Sequence, residues 1–143
     1  KVVGHGSSDL PVDRTETTSL WIKMPEASLL RPGLQPAMEG LANLLKNLAP
    51  LFLMCDSSDI YVNTSLSEPS LKQPALFLSD AIPGGVGLAE GAYDSIRGIL
   101  RACREQLDSC RCRDGCPSCI GAGSKGIKAK YLTKDLIDDL LNS

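Results

Sequence analysis

The sequence predicts a mixed α/β fold in which a small sheet is packed by two long helices, followed by a cysteine-rich C-terminal segment. Two observations carry the prediction. Apolar residues recur with a helical period in two long segments, and short apolar runs bounded by proline lie between them. The 143 residues can bury a core without disulfide support. We expect residues 18–143 to form one domain.

The N-terminal half contains strand and helix signals in turn. Residues 1–17 lack periodicity and are predicted to form an arm or loop. Alternation over residues 18–24 predicts a strand that ends at Pro25. The apolar positions of residues 38–52 predict a helix of about four turns, kinked or stopped at Pro50.

The C-terminal half begins with two further predicted strands, at residues 60–65 and 75–79. A glycine-rich turn then leads into a second long helix, which starts at Leu88 and ends at the cysteines. Thr133 is predicted to cap a short final helix that reaches Leu141.

The net charge of −2 conceals an uneven distribution. Residues 1–96 carry six basic and eleven acidic side chains, whereas residues 97–134 carry nine basic and three acidic ones. A basic block therefore follows an acidic body, and such a block favours a polyanionic partner. The longest apolar run is far shorter than the ~20 residues that span a bilayer, so we expect no membrane partner. The chain lacks an initiator methionine, and we expect it to be a piece of a larger protein.

Four of the six cysteines lie close together, with the spacing C-x-C-x3-C-x2-C. They are Cys110, Cys112, Cys116 and Cys119. Closely spaced thiolates on tight turns suit tetrahedral structural zinc, and four protein ligands would close the site to substrate. The alternatives are strained disulfides, which an oxidising compartment would require, or an iron–sulfur cluster. Cys55 and Cys103 are expected to be buried apolar residues.

The basic residues form two predicted groups. Arg97, Arg101 and Arg104 share one face of the second long helix, where they could follow a phosphate backbone or pair with acids at helical spacing. Around the cysteines lie Arg111, Arg113, Lys125, Lys128 and Lys130. This second group predicts a basic, nucleic-acid-binding surface. Aromatic residues for base stacking are scarce there, with Tyr131 nearby.

The glycine turn admits two interpretations. A strand, glycines and a helix in that order can bind phosphate, yet the spacing matches neither common phosphate-binding motif. A packing turn is the other interpretation, with Asp80 as a turn or cap residue. Gly91 and Gly98 lie on one side of the following helix and could admit another backbone. His5 is a lone histidine in the arm, and we expect no catalytic residues in this chain.

Three phrases together identify the chain as similar to a known family. They are TTSLWI from Thr17, ALFLSD-x2-PGGVGLAE from Ala75, and C-x-C-x2-GCPSCIG from Cys110. In this order they resemble the MrfA-type zinc-binding domain, at the C-terminal end of a group of DEAD/DEAH-box superfamily two helicases. Bacterial mitomycin-repair helicases and Hrq-type helicases carry it. The turn motif that carries the resemblance consists of Asp80, Pro83, Gly84, Gly85 and Gly87.

The resemblance implies that the four clustered cysteines bind one zinc ion in a C-terminal knuckle. It also implies a parent enzyme that moves 3′ to 5′ on single-stranded DNA, using ATP and Mg²⁺ in RecA-like motor domains, during DNA repair. This chain contains neither motor domain. A reducing, intracellular location is expected, in the bacterial cytoplasm or the eukaryotic nucleus. Two rival hypotheses remain open: a nucleotide- or small-ligand-binding domain that uses the glycine turn at 84–87, and a protein-interaction module with structural zinc.

Overall fold

A computed structural model describes residues 3–9, 16–30, 32–68, 73–81, 87–111 and 129–142. A short 3-10 turn, Ser57–Asp59, precedes the third strand. The other elements, in chain order, are β1 (Val3–Asp9), β2 (Glu16–Lys23), α1 (Glu26–Leu29), α2 (Leu34–Leu53), β3 (Ile60–Glu68), β4 (Gln73–Asp80), α3 (Leu88–Ser109) and α4 (Ala129–Leu141).

The four strands form one antiparallel sheet in the order β1-β2-β4-β3. Because side chains alternate across a strand, each strand gives one face to the core. On the inner face of the two central strands, Leu20, Ile22, Leu76 and Leu78 are fully buried. The predicted mixed α/β fold is confirmed.

Two helices cover this inner face, and a third packs against them. Helix α3 packs on β1, β2 and β4, α2 packs on β3, and α4 packs against both long helices. The apolar arc of α3 is buried along its length, from Ala89 to Leu107. Helix α4 adds Leu136 and Ile137 to the same core. The C-terminal helix is therefore part of the main core.

The prediction of an arm at residues 1–17 is wrong for residues 3–9 and 16–17, which lie in strands. Strand β1 pairs with β2 from Val3 opposite Ile22 to Asp9 opposite Glu16. The sequence of β1 is rich in glycine and serine and lacks an apolar alternation, which explains why pattern alone did not reveal it. An edge strand draws its order from backbone hydrogen bonds to its neighbour.

Helix α2 starts four residues before the predicted position and continues through Pro50. Gly33 precedes it with a φ of +78°, and a Cβ there would lie 2.6 Å from a methyl carbon of Leu132. The positive φ favours glycine, and a larger residue would also displace the Leu132 side chain. Pro50 lies in the last turn, and the helix ends at Met54, whose φ is +55°. A proline this close to the C-terminus removes one intrahelical hydrogen bond without breaking the helix.

Helix α4 starts at Ala129, so the prediction that Thr133 caps it is wrong. Thr133 is fully buried inside the helix, and its Oγ1 has no hydrogen-bond partner within the described part of the chain. Among the described residues, no helix is both long and apolar enough to cross a membrane.

Candidate metal centre and nucleic-acid interface

The first of the clustered cysteines marks the end of α3. Cys110 leaves the helix with an extended backbone, and its N–H donates to the carbonyl of Gln106 at 3.0 Å. Its side chain is half-buried and is a thiol rather than half of a disulfide. The sulfur of Cys110 thus lies at the end of a helix that is anchored in the core.

Lys130 anchors the same point from the other side. Its Nζ donates a hydrogen bond of 2.7 Å to the carbonyl oxygen of Cys110, and the residue is only 6% exposed. The prediction that Lys130 contributes to a nucleic-acid surface is wrong, because its ammonium group is turned inwards. This lysine instead ties the start of α4 to the end of α3.

The structure describes one of the four predicted zinc ligands, Cys110. Cys112, Cys116 and Cys119 lie outside the described residues, so the ligand set itself stays a prediction. Among the described residues there is no group of three His, Cys, Asp or Glu side chains that could hold a metal ion. A site at Cys110 therefore needs donors from residues 112–128, the segment that contains the other three cysteines.

Of the two remaining cysteines, which were both predicted to be buried, Cys103 is buried and Cys55 is only half-buried. Cys103 is fully buried among the apolar residues of α3, and burial raises the pKa of its thiol to about 12. Cys55 is half-buried after α2, and its thiol pKa is raised by burial and then by the nearby carboxylates, with Asp59 first. A thiol that resists deprotonation is a poor metal ligand.

Most of the arginine face on α3 serves the contact with α4. The Nε of Arg104 donates to Asp138 at 2.9 Å, and its Nη1 pairs with Asp108 one turn along α3. Lys134 also reaches Asp108, at 2.9 Å. The hydrogen bond to Asp138 is the main cause of a raised pKa at Arg104. Of the two interpretations of this face, acid pairing therefore describes Arg104.

Arg97 also reaches α4. Its Nη2 donates to the carbonyl of Leu141 at 2.6 Å, which caps the C-terminus of that helix. Arg101 and Arg111 are exposed. Arg113, Lys125 and Lys128 lie outside the described residues. The described residues that remain available for phosphate are thus fewer than the sequence pattern indicated.

The turn before α3 is organised by a buried carboxylate. Asp80 ends β4 and is 1% exposed, and its Oδ1 accepts a hydrogen bond of 2.9 Å from the N–H of Ala89. Gly87, with a φ of +87°, is the N-cap residue of α3. Pro83, Gly84 and Gly85 lie outside the described residues. Because Asp80 already occupies one of the amide donors that a phosphate would use, the geometry favours the cap over a ligand site.

The small-residue side of α3 meets the end of α2. A Cβ on Gly91 would lie 3.1 Å from a methyl carbon of Leu53, and one on Gly98 would lie 3.5 Å from the ring of Phe52. The glycines therefore allow close packing between two helices of this chain. The sequence allowed the backbone of another element to approach these glycines. In the described structure, side chains of α2 in the same chain approach them.

Two surfaces escaped the sequence reasoning. The end of α2 exposes Leu51, Phe52 and Met54, of which Met54 is 93% exposed. The outer face of the sheet carries Trp21, Phe77 and Tyr61. The alternation of each strand contained the signal for the second surface, but only the pairing register shows that the rings meet.

A known protein family matches this chain. The family model described as the MrfA Zn-binding domain matches residues 41–120. These residues cover most of the chain from α2 to the last clustered cysteine. The chain belongs to the MrfA Zn-binding domain family.

Individual relatives support this family assignment. The ATP-dependent helicase YprA of Bacillus subtilis is 34% identical over 96% of this chain and 19% of its own length. Protein MJ1572.1 of Methanocaldococcus jannaschii is 35% identical over 64% of this chain and 84% of its own length. A crystal structure of the DUF1998 helicase MrfA bound to DNA is similar with a TM-score of 0.78 and 33% identity, over 96% of this chain and 19% of that chain. The chain spans about a fifth of the length of these helicases and most of the archaeal protein.

Proposed function

We propose that this chain is the zinc-binding accessory domain of an ATP-dependent 3′–5′ DNA helicase that acts in DNA repair. The observation that carries the proposal is the match of nearly the whole chain to one fifth of a helicase sequence and to one fifth of a helicase structure bound to DNA. In this proposal ATP and Mg²⁺ act in RecA-like motor domains of the parent, in the bacterial cytoplasm or the eukaryotic nucleus.

Zinc has a structural role in this proposal. Bound zinc supplies a tetrahedral crosslink between four thiolates, which are Cys110, Cys112, Cys116 and Cys119. Within the described residues, Cys110 is held by α3 and by Lys130 of α4. The crosslink would therefore stabilise the junction of these two helices.

Single-stranded DNA is the proposed partner of the basic segment. Arg111 is exposed directly after α3, and Arg101 is exposed two turns before the end of that helix. Arg113, Lys125 and Lys128 add positive charge in the same stretch of sequence. Phosphate contacts of this kind release counterions, so binding should weaken steeply with salt.

The exposed end of α2 supports a contact with the motor domains. Leu51 is 73% exposed and lies beside Phe52 and Met54. A cluster of exposed apolar side chains on a protein surface indicates a site that contacts another molecule. Amide hydrogen exchange at residues 50–55 should be slower in the full helicase than in the 143-residue chain. Equal exchange in the two proteins would contradict this contact.

The DNA proposal is tested by binding of the zinc-loaded chain to a single-stranded oligonucleotide at several salt concentrations. Replacement of Arg111 and Arg113 by alanine should reduce the slope of log affinity against log salt by about 1.4, since each phosphate contact on a single strand contributes about 0.7. Lys46→Ala, an exposed cation on α2, is the matched control and should leave the slope unchanged. Unchanged affinity and slope in the double variant would refute the basic surface.

A further inference from the structure

The face of α3 that carries Arg104 lies between two exposed arginines of the proposed DNA surface. Arg101 and Arg104 are three residues apart and Asp108 follows four residues later, so these side chains share one face of the helix. Arg111 is exposed just beyond the end of the helix. From Arg101 to Asp108 the helix rises about 10 Å. A DNA strand that contacts both Arg101 and Arg111 therefore passes over Arg104 and Asp108.

Two carboxylates hold Arg104 in this path. The Nε of Arg104 donates to Asp138 of α4 at 2.9 Å, and its Nη1 pairs with Asp108. The two carboxylates differ in their ion pairs, because Lys134 also pairs with Asp108, at 2.9 Å, whereas Asp138 pairs with Arg104. If Arg104 turned to a phosphate, Asp108 would keep a cation and Asp138 would lose its ion pair. Asp138 is therefore the acid whose charge opposes that exchange.

These ion pairs lie where a ligand can reach them. The side chain of Arg104 is 28% exposed, and those of Asp138 and Asp108 are 46% and 54% exposed. Ion pairs this exposed contribute little to stability, because water screens the charges. An arginine that leaves them for a phosphate therefore loses little, since a guanidinium binds phosphate as well as it binds carboxylate. The main obstacle to the exchange is repulsion between the phosphate and Asp138.

The charges around Arg104 balance. Residues 101–111 and 131–138 together carry four basic and four acidic side chains. The basic ones are Arg101, Arg104, Arg111 and Lys134, and the acidic ones are Glu105, Asp108, Asp135 and Asp138. The surface between α3 and α4 therefore has no excess of positive charge while its acids are ionised. Neutralising one acid gives it a net positive charge.

We propose that Asp138 of α4 limits the binding of single-stranded DNA by holding Arg104 away from the phosphates of the bound strand. When Asp138 loses its charge, Arg104 becomes an additional phosphate contact between Arg101 and Arg111. The inference rests on the proposed function for the identity of the ligand, and it adds an acid that sets the affinity. In the proposed helicase, a strand that is held less tightly is also released more readily as the enzyme moves.

The test measures binding of a single-stranded oligothymidylate to the zinc-loaded 143-residue chain at several salt concentrations. Asp138→Asn keeps the shape of the side chain and removes its charge. It should steepen the slope of log affinity against log salt by about 0.7, and raise the affinity about fivefold at about 0.1 M salt, as one added phosphate contact does. Arg104→Ala alone should change the affinity by less than about twofold, because Arg104 makes no phosphate contact in the unaltered chain.

The deciding variant combines the two substitutions. In the double variant of Asp138→Asn and Arg104→Ala, the gain in affinity should disappear, because the acid acts through the arginine. A gain that persists in the double variant would show that Asp138 acts by its charge alone, and would overturn the inference. Glu39→Gln removes an exposed acid from α2 and is the matched control, which should leave the slope unchanged.

The remaining outcomes separate this inference from the proposed function. Unfolding midpoints of all variants establish that each is folded. Unchanged binding by Asp138→Asn, together with a slope that falls when Arg111 and Arg113 are replaced, would overturn the role of Asp138 while the DNA surface stands. Absence of binding in every variant would refute both the DNA surface and the role of Asp138.

Discussion

The two ends of helix α3 are held in different ways. At its N-terminus, Asp80 bonds to Ala89 only nine residues away, and both lie on one side of the cysteine segment. At its C-terminus, Cys110 is held by Lys130 of α4, twenty residues further along the chain. The cysteine segment lies between those two residues. One end is thus organised by local sequence, whereas the other depends on how a distant helix returns.

This difference separates the N-terminal end of α3, which Asp80 caps, from its C-terminal end, which the proposed zinc site would crosslink. The capped end satisfies a buried backbone donor with a carboxylate, which is a fixed, metal-independent contact. The crosslinked end adds the ion pairs of Arg104 and Lys134 to the bond from Lys130. Loss of the crosslink should therefore loosen one end and spare the other, and the following predictions test that asymmetry.

The largest effect is expected from removing zinc or from Cys110→Ser. Structural zinc contributes on the order of 10 kcal/mol of apparent binding free energy, so the loss should exceed about 4 kcal/mol of stability. Amide exchange should accelerate first near residues 104–111 and in α4, and later near residues 88–95. Cys55→Ser is the control, because Cys55 lies at the other end of the domain. Simultaneous loss of protection at both ends would show that α3 responds as one unit.

Asp80→Ala should have the next largest effect, about 2–3 kcal/mol, because it leaves the Ala89 N–H buried without its acceptor. Chemical denaturation measures the loss. Asp80→Asn keeps an oxygen acceptor and should recover part of it. Glu90→Ala removes an exposed acid from the same turn and should cost no more than about 0.5 kcal/mol. Zinc content that falls with Asp80→Ala would contradict the independence of the two ends.

Lys130→Met should cost about 1–2 kcal/mol, since the carbonyl of Cys110 loses its charged donor while the volume is kept. The apparent zinc affinity should fall along with stability, which a competition titration with a chelator would measure. Lys134→Met provides the comparison, because Lys134 pairs with the exposed carboxylate of Asp108 and not with the carbonyl of Cys110. An unchanged affinity in Lys130→Met would mean that the bond stabilises α4 alone.

The smallest effect is expected at Asp108, which is half exposed. The hydrogen bond from Lys134, followed by that from Arg104, lowers the pKa of Asp108 below its ordinary value of 3.8. The ionised carboxylate of Asp108 and its two cationic partners therefore stabilise the fold at neutral pH. This contribution is lost as the pH falls from 3.8 through the lower pKa of Asp108 in the folded state. Asp108→Asn should cost at most about 0.5 kcal/mol at pH 7, and progressively less as the pH falls below 3.8. A constant difference across that range would indicate that charge is not the cause.

Sequence patterns predicted the elements whose order comes from buried apolar residues. Helices α2 and α3 and strands β2, β3 and β4 lie where periodicity indicated, with ends that differ by a few residues. Strand β1 was missed because its order comes from backbone pairing, which a glycine- and serine-rich sequence does not reveal. Two predictions at α4 were wrong: Lys130 as part of a nucleic-acid surface and Thr133 as the helix cap. They have one cause, because both are polar residues that tertiary packing buries.

The candidate site shows the same division. The spacing of the cysteines predicts Cys110 as a metal ligand, because metal ligands must be close in sequence to meet on a tight turn, and that role stays a prediction. The inward turn of Lys130 and the meeting of Arg104 with Asp138 depend on where α4 packs, and no local pattern contains that information. The meeting of Trp21, Phe77 and Tyr61 on the outer face of the sheet likewise depends on the pairing register between strands that are far apart in sequence.

The strand order also bears on how the domain can be cut. The family match starts at residue 41, inside α2, although β2 lies between β1 and β4 in the sheet. A fragment trimmed to the matched segment would lose two strands and uncover the backbone edge of β4, whose central sequence is ALFL. Unpaired apolar edges recruit strands from other molecules. Such a fragment should aggregate on expression, whereas one that retains Val3 should stay monodisperse.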